Sequence, residues 1–248
     1  MTQRGTGFRW LAALGAFGTV MALAGCATVP PPVEQHRGQA VFERLGTVGL
    51  RVELPDAPGL TLFDGERGGG GGMGLLQQGI VLAMTSRLAD PVQSLSLGER
   101  RAIEDELAGL LERKGLPVRR LSAAEVTLDK LPRHPAPDGQ VAARDFRPLK
   151  AQLGLQRLLV VSLPQVGVNY PFGGFVPMAT GDPMAWVAGE AYMVDLQSNQ
   201  YLWYRKVRVL RGAGKDWDQP PSWPALSTRW FEVVEIAKDQ TLEHLARD

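Results

Sequence analysis

Cys26 is the side chain whose chemistry is most readable from its neighbours. It is the only cysteine in the chain and follows Leu23, Ala24 and Gly25. A thiolate is a strong nucleophile. The small Ala24 and Gly25 leave room for a peptidase to cut between Gly25 and Cys26, and a thiol at a membrane surface can accept an acyl chain. No comparable constellation follows it. The histidines His36, His134 and His244 fall in a linker, a Pro-rich loop and near the C-terminus, with no H-E-x-x-H and no G-x-S-x-G around them, so each is expected at the solvated surface. Glu190 and Asp195 lie an odd number of residues apart on one expected strand, so they point to opposite faces and form no acid/base pair. Glu190 still merits attention, because a carboxylate in an otherwise apolar strand needs a partner, which Arg205 or Lys206 on the opposing arm can supply. Gly69, Gly71 and Gly74 satisfy G-x-G-x-x-G, but the preceding Asp64-Gly65-Glu66-Arg67 is polar where a nucleotide-binding loop needs a strand, so the five-glycine run reads as a flexible loop. No cofactor and no metal site is expected, and with Cys26 committed no disulfide can form.

The elements around Cys26 fit its chemistry. Arg4 and Arg9 form a basic start, Trp10 to Ala24 is an apolar run broken by Gly15, Gly18 and Thr19, and Pro30-Pro31-Pro32 follows. The run is short for a bilayer span and has the flanks of a secretory signal. The expected organisation is therefore a signal peptide over 1–25, a Pro-rich tether over 26–38 and a single domain over 39–248. An ordinary signal peptide that happens to end near a cysteine is the alternative. Losing Arg4 and Arg9 with the leader changes the formal net charge from +1 to −1, which argues against nucleic acid as a partner.

Periodicity then sets the fold class. Thr47 to Leu54 alternates and predicts a strand with one buried face. Spacing predicts helices over Met73 to Leu88, from Ser96 with Glu99 as a capping box to Gly115, and from Pro148 to Gly154. A second capping box, Ser122 with Glu125, predicts a short helix closed by Pro132. Leu116 to Leu121 reads as a strand, and the continuously apolar Leu158 to Leu163 as a central one. Asn169 to Pro183 reads as a long loop. Trp186 to Leu196 and Tyr201 to Leu210 form an expected hairpin around a left-handed Asn199, its first arm interior and its charged second arm nearer an edge. Leu226, Trp230, Val233, Val234, Ala237, Thr241 and Leu245 mark the buried stripe of a last helix. Together these predict an α/β fold, a single layered domain with a mixed sheet flanked by helices.

Two resemblances add to this reading. Leu23-Ala24-Gly25-Cys26 resembles the lipobox of bacterial lipoproteins, which implies cleavage before Cys26, acylation of its thiol and membrane attachment through the N-terminal lipid. Ala27 follows, where an aspartate tends to retain family members at the inner membrane, so the resemblance implies the periplasmic face of the outer membrane. Gly115-Leu-Pro-Val-Arg-Arg, Leu149 to Gly154 before Leu158-Leu-Val-Val-Ser, and Val194-Asp-Leu-Gln-Ser-Asn-Gln-Tyr-Leu-Trp203 are similar to the α/β module of the TolB N-terminal domain, CsgG and LpoB. Ser198-Asn199 stands where Thr-Gly is usual there. This resemblance implies a non-enzymatic assembly, accessory or regulatory module that contacts other envelope proteins or a second copy of itself. Tyr170, Phe172, Phe175 and Trp186 are the candidate partner contacts, being of types enriched at interface hot spots; the alternative is that their loop folds back and caps the core. The competing functions are an auxiliary lipoprotein of a lipid or solute transporter and an envelope hydrolase.

Overall fold

The computed structural model describes residues 31–43, 46–64, 88, 92, 95, 99–173, 178–179, 181–219 and 223–247. The lipobox, the glycine run, Ser96 and Phe175 lie outside these residues. Among the described residues eight strands form one mixed sheet: β1 (Gln35–His36), β2 (Val48–Glu53), β3 (Gly59–Asp64), β4 (Val118–Arg120), β5 (Arg157–Gly173), β6 (Met178–Ala179), β7 (Met184–Asp195) and β8 (Tyr201–Gly212). Their order is β1-β8-β7-β5-β2-β4, with β3 and β6 also paired to β5. β2 is parallel to β4 and β5, whereas β7 is antiparallel to β5 and β8. The α/β class and the mixed sheet are thus as the periodicity predicts, with the apolar β5 at the centre and the two-residue β1 paired to the outer side of β8.

Each face of the sheet carries its own core. On one face, α2 (Glu99–Arg113) and α4 (Pro224–Ala246) pack against β2, β5, β7 and β8 through Leu50, Leu159, Met193, Trp203, Leu107, Leu111 and Trp230. The buried residues of α4 are the seven of its sequence stripe. On the other face, the segment from Leu121 to Leu155 covers Leu158, Val160, Tyr192, Val194 and Tyr204 and includes α3 (Arg147–Leu153). Pro148 opens α3, and left-handed Gly154 (φ 67°) closes it with its N–H on the Lys150 carbonyl.

Three expectations give way to tertiary context. β2 is buried on both faces, because Gly49 leaves the second face open to Leu121, Leu155 and Leu158, and Arg51 is only 4% exposed. Ser122 and Glu125 do close their reciprocal box, with Ser122 N–H on the Glu125 carboxylate at 2.9 Å, yet the chain makes a turn and then a 3-10 turn at Leu128–Lys130. The Val126 carbonyl, which a continuing helix would use, accepts instead from Arg51 Nε. The expected loop after Asn169 is strand as far as Gly173. β3 pairs with it on one side and β7 and β6 on the other, and these ladders outweigh the poor strand propensity of Gly167 and Pro171.

Candidate functional site

Glu190 on β7 lies in a polar row that crosses the sheet. In register, Glu53 on β2 faces Ser162 on β5, Ser162 faces Glu190, and Glu190 faces Lys206 on β8. Ser162 Oγ donates to Glu53 Oε2 at 3.3 Å, and Arg51 Nη2 lies 3.4 Å from Glu53 Oε1. The donor to Glu190 is Tyr204, whose hydroxyl lies 2.9 Å from Oε2; Arg205, one residue on, points to the opposite face of β8. The sequence offered Arg205 or Lys206 for that bond and missed the phenol, which lies diagonally across the strand pair.

The surroundings make the row a structural boundary of the second core. Tyr192, Tyr201 and Tyr204 pack edge-on, tilted or stacked with centroids 5.2–6.4 Å apart. Burial, helped by the charge of Glu190, pushes all three phenols well above their ordinary range, so they stay protonated donors at neutral pH. None of the histidines hydrogen-bonds to Ser162. Among the described residues no group of three or more His, Cys, Asp or Glu could hold a metal ion.

A second cluster joins the N-terminal segment to the domain. His36 and His244, expected in solvent, are both partly buried and face each other with ring centroids 6.0 Å apart. His36 Nδ1 accepts from the Gly38 N–H at 3.0 Å, and its Nε2–H donates to the Leu245 carbonyl at 3.2 Å. The Trp203 indole N–H donates to His244 Nδ1 at 2.7 Å. The residues read as the end of a tether are therefore held on the domain: Arg37 N–H donates to the Leu202 carbonyl, Val33 N–H to that of Gly139, and Lys206 N–H to Glu34 Oε1. Just beyond, α1 (Gln39–Phe42) is fastened by Arg157 at the start of β5. Arg157 is 2% exposed and donates from Nη1 to the Val41 carbonyl, with Glu43 at 3.7 Å. Sequence spacing cannot reveal a pair 208 residues apart.

The candidate partner contacts separate. Tyr170 is half-buried, packs on the first core and lies edge-on to Trp217 with ring centroids 6.0 Å apart. Trp186 is 6% exposed. Phe172 lies at the end of β5, in register with Asp64 of β3 and Ala179 of β6, and Phe175 is outside the described residues. Phe231, off the buried stripe of α4, is 49% exposed beside Ile236 in a shallow depression rimmed by Glu232, Glu235 and Asp239. No helix among the described residues is long and apolar enough to cross a membrane.

The fold defines an α/β protein whose single mixed sheet is covered on both faces. No protein-family model matches the chain, and no curated protein sequence matches it. Among solved structures the chain is similar to the hypothetical protein CT253 from Chlamydia trachomatis (8% identity, 81% of this chain and 97% of that one, TM-score 0.35). It is also similar to the PelC dodecamer from Paraburkholderia phytofirmans (9%, 88% and 92%, TM-score 0.30) and to lipoprotein GNA1162 from Neisseria meningitidis (14%, 79% and 99%, TM-score 0.27). Likenesses of this size carry no argument about function.

Proposed function

We infer that the protein is a lipid-anchored envelope lipoprotein, held by acylated Cys26 at the periplasmic face of the outer membrane, and that it serves there as a non-enzymatic assembly, accessory or regulatory module for other envelope proteins. The observation that carries this reading is the tetrapeptide Leu23 to Cys26 at the end of an apolar run, followed at once by a Pro-rich stretch. Residues 1–25 are the removed leader, and Cys26 with its lipid becomes the new N-terminus. Several acyl chains on one residue exceed the two-signal threshold for stable anchoring, at about 0.8 kcal/mol per buried methylene. The attachment of residues 33–38 along the sheet edge supports a domain carried close to that anchor. Partners are met by the aromatic stretch around Phe172 and Phe175.

Metabolic labelling with a palmitate analogue tests the anchor. Label should enter the full chain and be absent from Cys26→Ala, which should also lose membrane fractionation; labelling of that variant would overturn the reading. In-cell cross-linking of the anchored protein tests the role. Phe172→Ala with Phe175→Ala should leave the melting temperature unchanged and abolish capture of the cross-linked partner, whereas a large fall in melting temperature would assign those rings to packing. Turnover of muropeptide, ester or phosphate substrates, abolished by Glu190→Gln, would overturn the non-enzymatic role.

A further inference from the structure

The contact between the N-terminal segment and the domain is built from histidines whose lone pairs are already in use. His36 Nε2–H crosses to the Leu245 carbonyl, while within the segment Gly38 N–H occupies Nδ1 of His36 and within the domain the Trp203 indole N–H occupies Nδ1 of His244. Each ring is thereby fixed as the neutral tautomer with hydrogen on Nε2. Adding a proton to either Nδ1 sets a donor against a donor. Adding one to both places two cations with centroids 6.0 Å apart. We propose that His36 and His244 form an acid-sensitive latch, which holds residues 33–38 on the domain at neutral pH and frees them on acidification.

The surrounding charges favour that behaviour. Arg205 on β8 and Arg247 just past α4 both act on His244, and Glu34 on the N-terminal segment is the opposing charge. Arg205 is itself partly buried, with its Nε lacking a hydrogen-bond partner. On the far side of His36, Phe42 lies 6.2 Å away and carries Lys114 over its ring. Burial first, then Arg205, Arg247 and His36, hold the His244 pKa below its ordinary value. The latched form prefers neutral His244, while the open form takes up a proton near the free-histidine pKa of about 6.5. Latching is therefore complete above about pH 6.5 and weakens as pH falls from there through the depressed latched value.

The segment is also held by the Arg37, Val33 and Lys206 N–H bonds to the Leu202 carbonyl, the Gly139 carbonyl and Glu34 Oε1. β1 contributes two ladder positions, Gln35 with Tyr204 and His36 with Trp203. Arg37 adds hydrogen bonds to the Gln200 and Gln140 side chains at 2.8 and 3.2 Å. Arg157 still grips Val41 and Glu43 after the latch opens, so release ends near Gly38. Freeing residues 33–38 adds about 20 Å to the length of chain between lipid and domain. That gain in reach rests on the lipid-anchor reading above; the latch does not.

Hydrogen exchange of the full chain in detergent, corrected for intrinsic rate, tests the proposal between about pH 7.5 and about pH 5.5. The peptide covering residues 33–38 should lose protection on acidification, while amides of Val160 and Val161 in β5 stay unchanged. His36→Asn with His244→Asn keeps an acceptor near each Nδ1 position and cannot titrate, so its protection should be flat. Flat protection in the wild type, the same slope in the double variant, or parallel loss in β5 would each overturn the latch. If the double variant does not fold, the Trp203 indole N–H resonance of the wild type reports instead: it should shift in step with exchange of residues 33–38, and an invariant resonance would overturn the proposal. Palmitate labelling reads the anchor separately. A latch that opens in a chain that takes no label stands without its consequence for reach.

Discussion

The backbone N–H of Phe146 donates to Oδ1 of Asn199 at 2.8 Å, joining the start of α3 to the β7–β8 turn across 53 residues of chain. Asn199 is fully buried, sits at φ 62°, and returns Nδ2 to the carbonyls of Ala142 and Arg144 at 3.1 and 2.9 Å. A left-handed residue at this turn could be glycine; the side chain is needed because three backbone groups of another segment depend on it.

Asn199→Gly should therefore keep the turn and lose the junction. Its unfolding free energy should fall by roughly 2–4 kcal/mol, from about 1 kcal/mol per hydrogen bond and the orphaned Phe146 N–H. Asn199→Ala should be worse, since it also adopts positive φ at a cost. Urea denaturation measures both, and a glycine variant as stable as the wild type would refute the account.

The tyrosine cluster predicts an alkaline limit. Burial raises the phenols of Tyr192, Tyr201 and Tyr204, and Glu190 adds to the rise, so their folded pKa values exceed the unfolded value of about 10. A folded acid with a raised pKa binds its proton more tightly than the unfolded chain does. Stability should be unaffected below about pH 9 and fall as pH rises through 10 and beyond. Ultraviolet titration should show these phenolates appearing together with loss of near-ultraviolet circular dichroism; smooth ionisation near pH 10 in a folded protein would contradict the packing. Tyr204→Phe, which strips the donor from half-buried Glu190, should cost roughly 1–2 kcal/mol at neutral pH.

Gly189 faces the irregularity in β5 between Ser162 and Gln165. A Cβ there would stand 2.1 Å from the Ser162 carbonyl oxygen and 2.8 Å from the Leu163 Cα, both backbone atoms. Gly189→Ala should destabilise by roughly 3 kcal/mol or more, because the central pair of strands must separate. At Gly212, the end of β8, an added Cβ would meet nothing within 4 Å. Gly212→Ala should change stability by no more than about 0.5 kcal/mol, and paired melting curves make the comparison.

Periodic features were legible in the residues alone. The stripe of α4, the buried side of α2, the Pro148-to-Gly154 helix and the hairpin turning at Asn199 each depend on neighbours within a few positions, so local spacing and side-chain type define them. The capping box at Ser122 shows where local information ends: both its hydrogen bonds form, and a buried Arg51 from 75 residues earlier takes the Val126 carbonyl and stops the helix.

Meetings of residues distant in sequence belong to the folded chain. Tyr204 rather than a cation satisfies Glu190, β3 turns an expected loop into the long arm of β5, and Trp203 sets His244 beside His36. The reason is physical. Helical and strand periods are properties of a few consecutive residues, whereas the choice between solvent and burial for a histidine, a carboxylate or a strand edge depends on which partner the folded chain brings within about 3 Å. Local residue order was enough to specify an α/β chain with a mixed sheet; how residues 33–38 are fastened to that sheet was set only when the fold brought β1, β8 and α4 together.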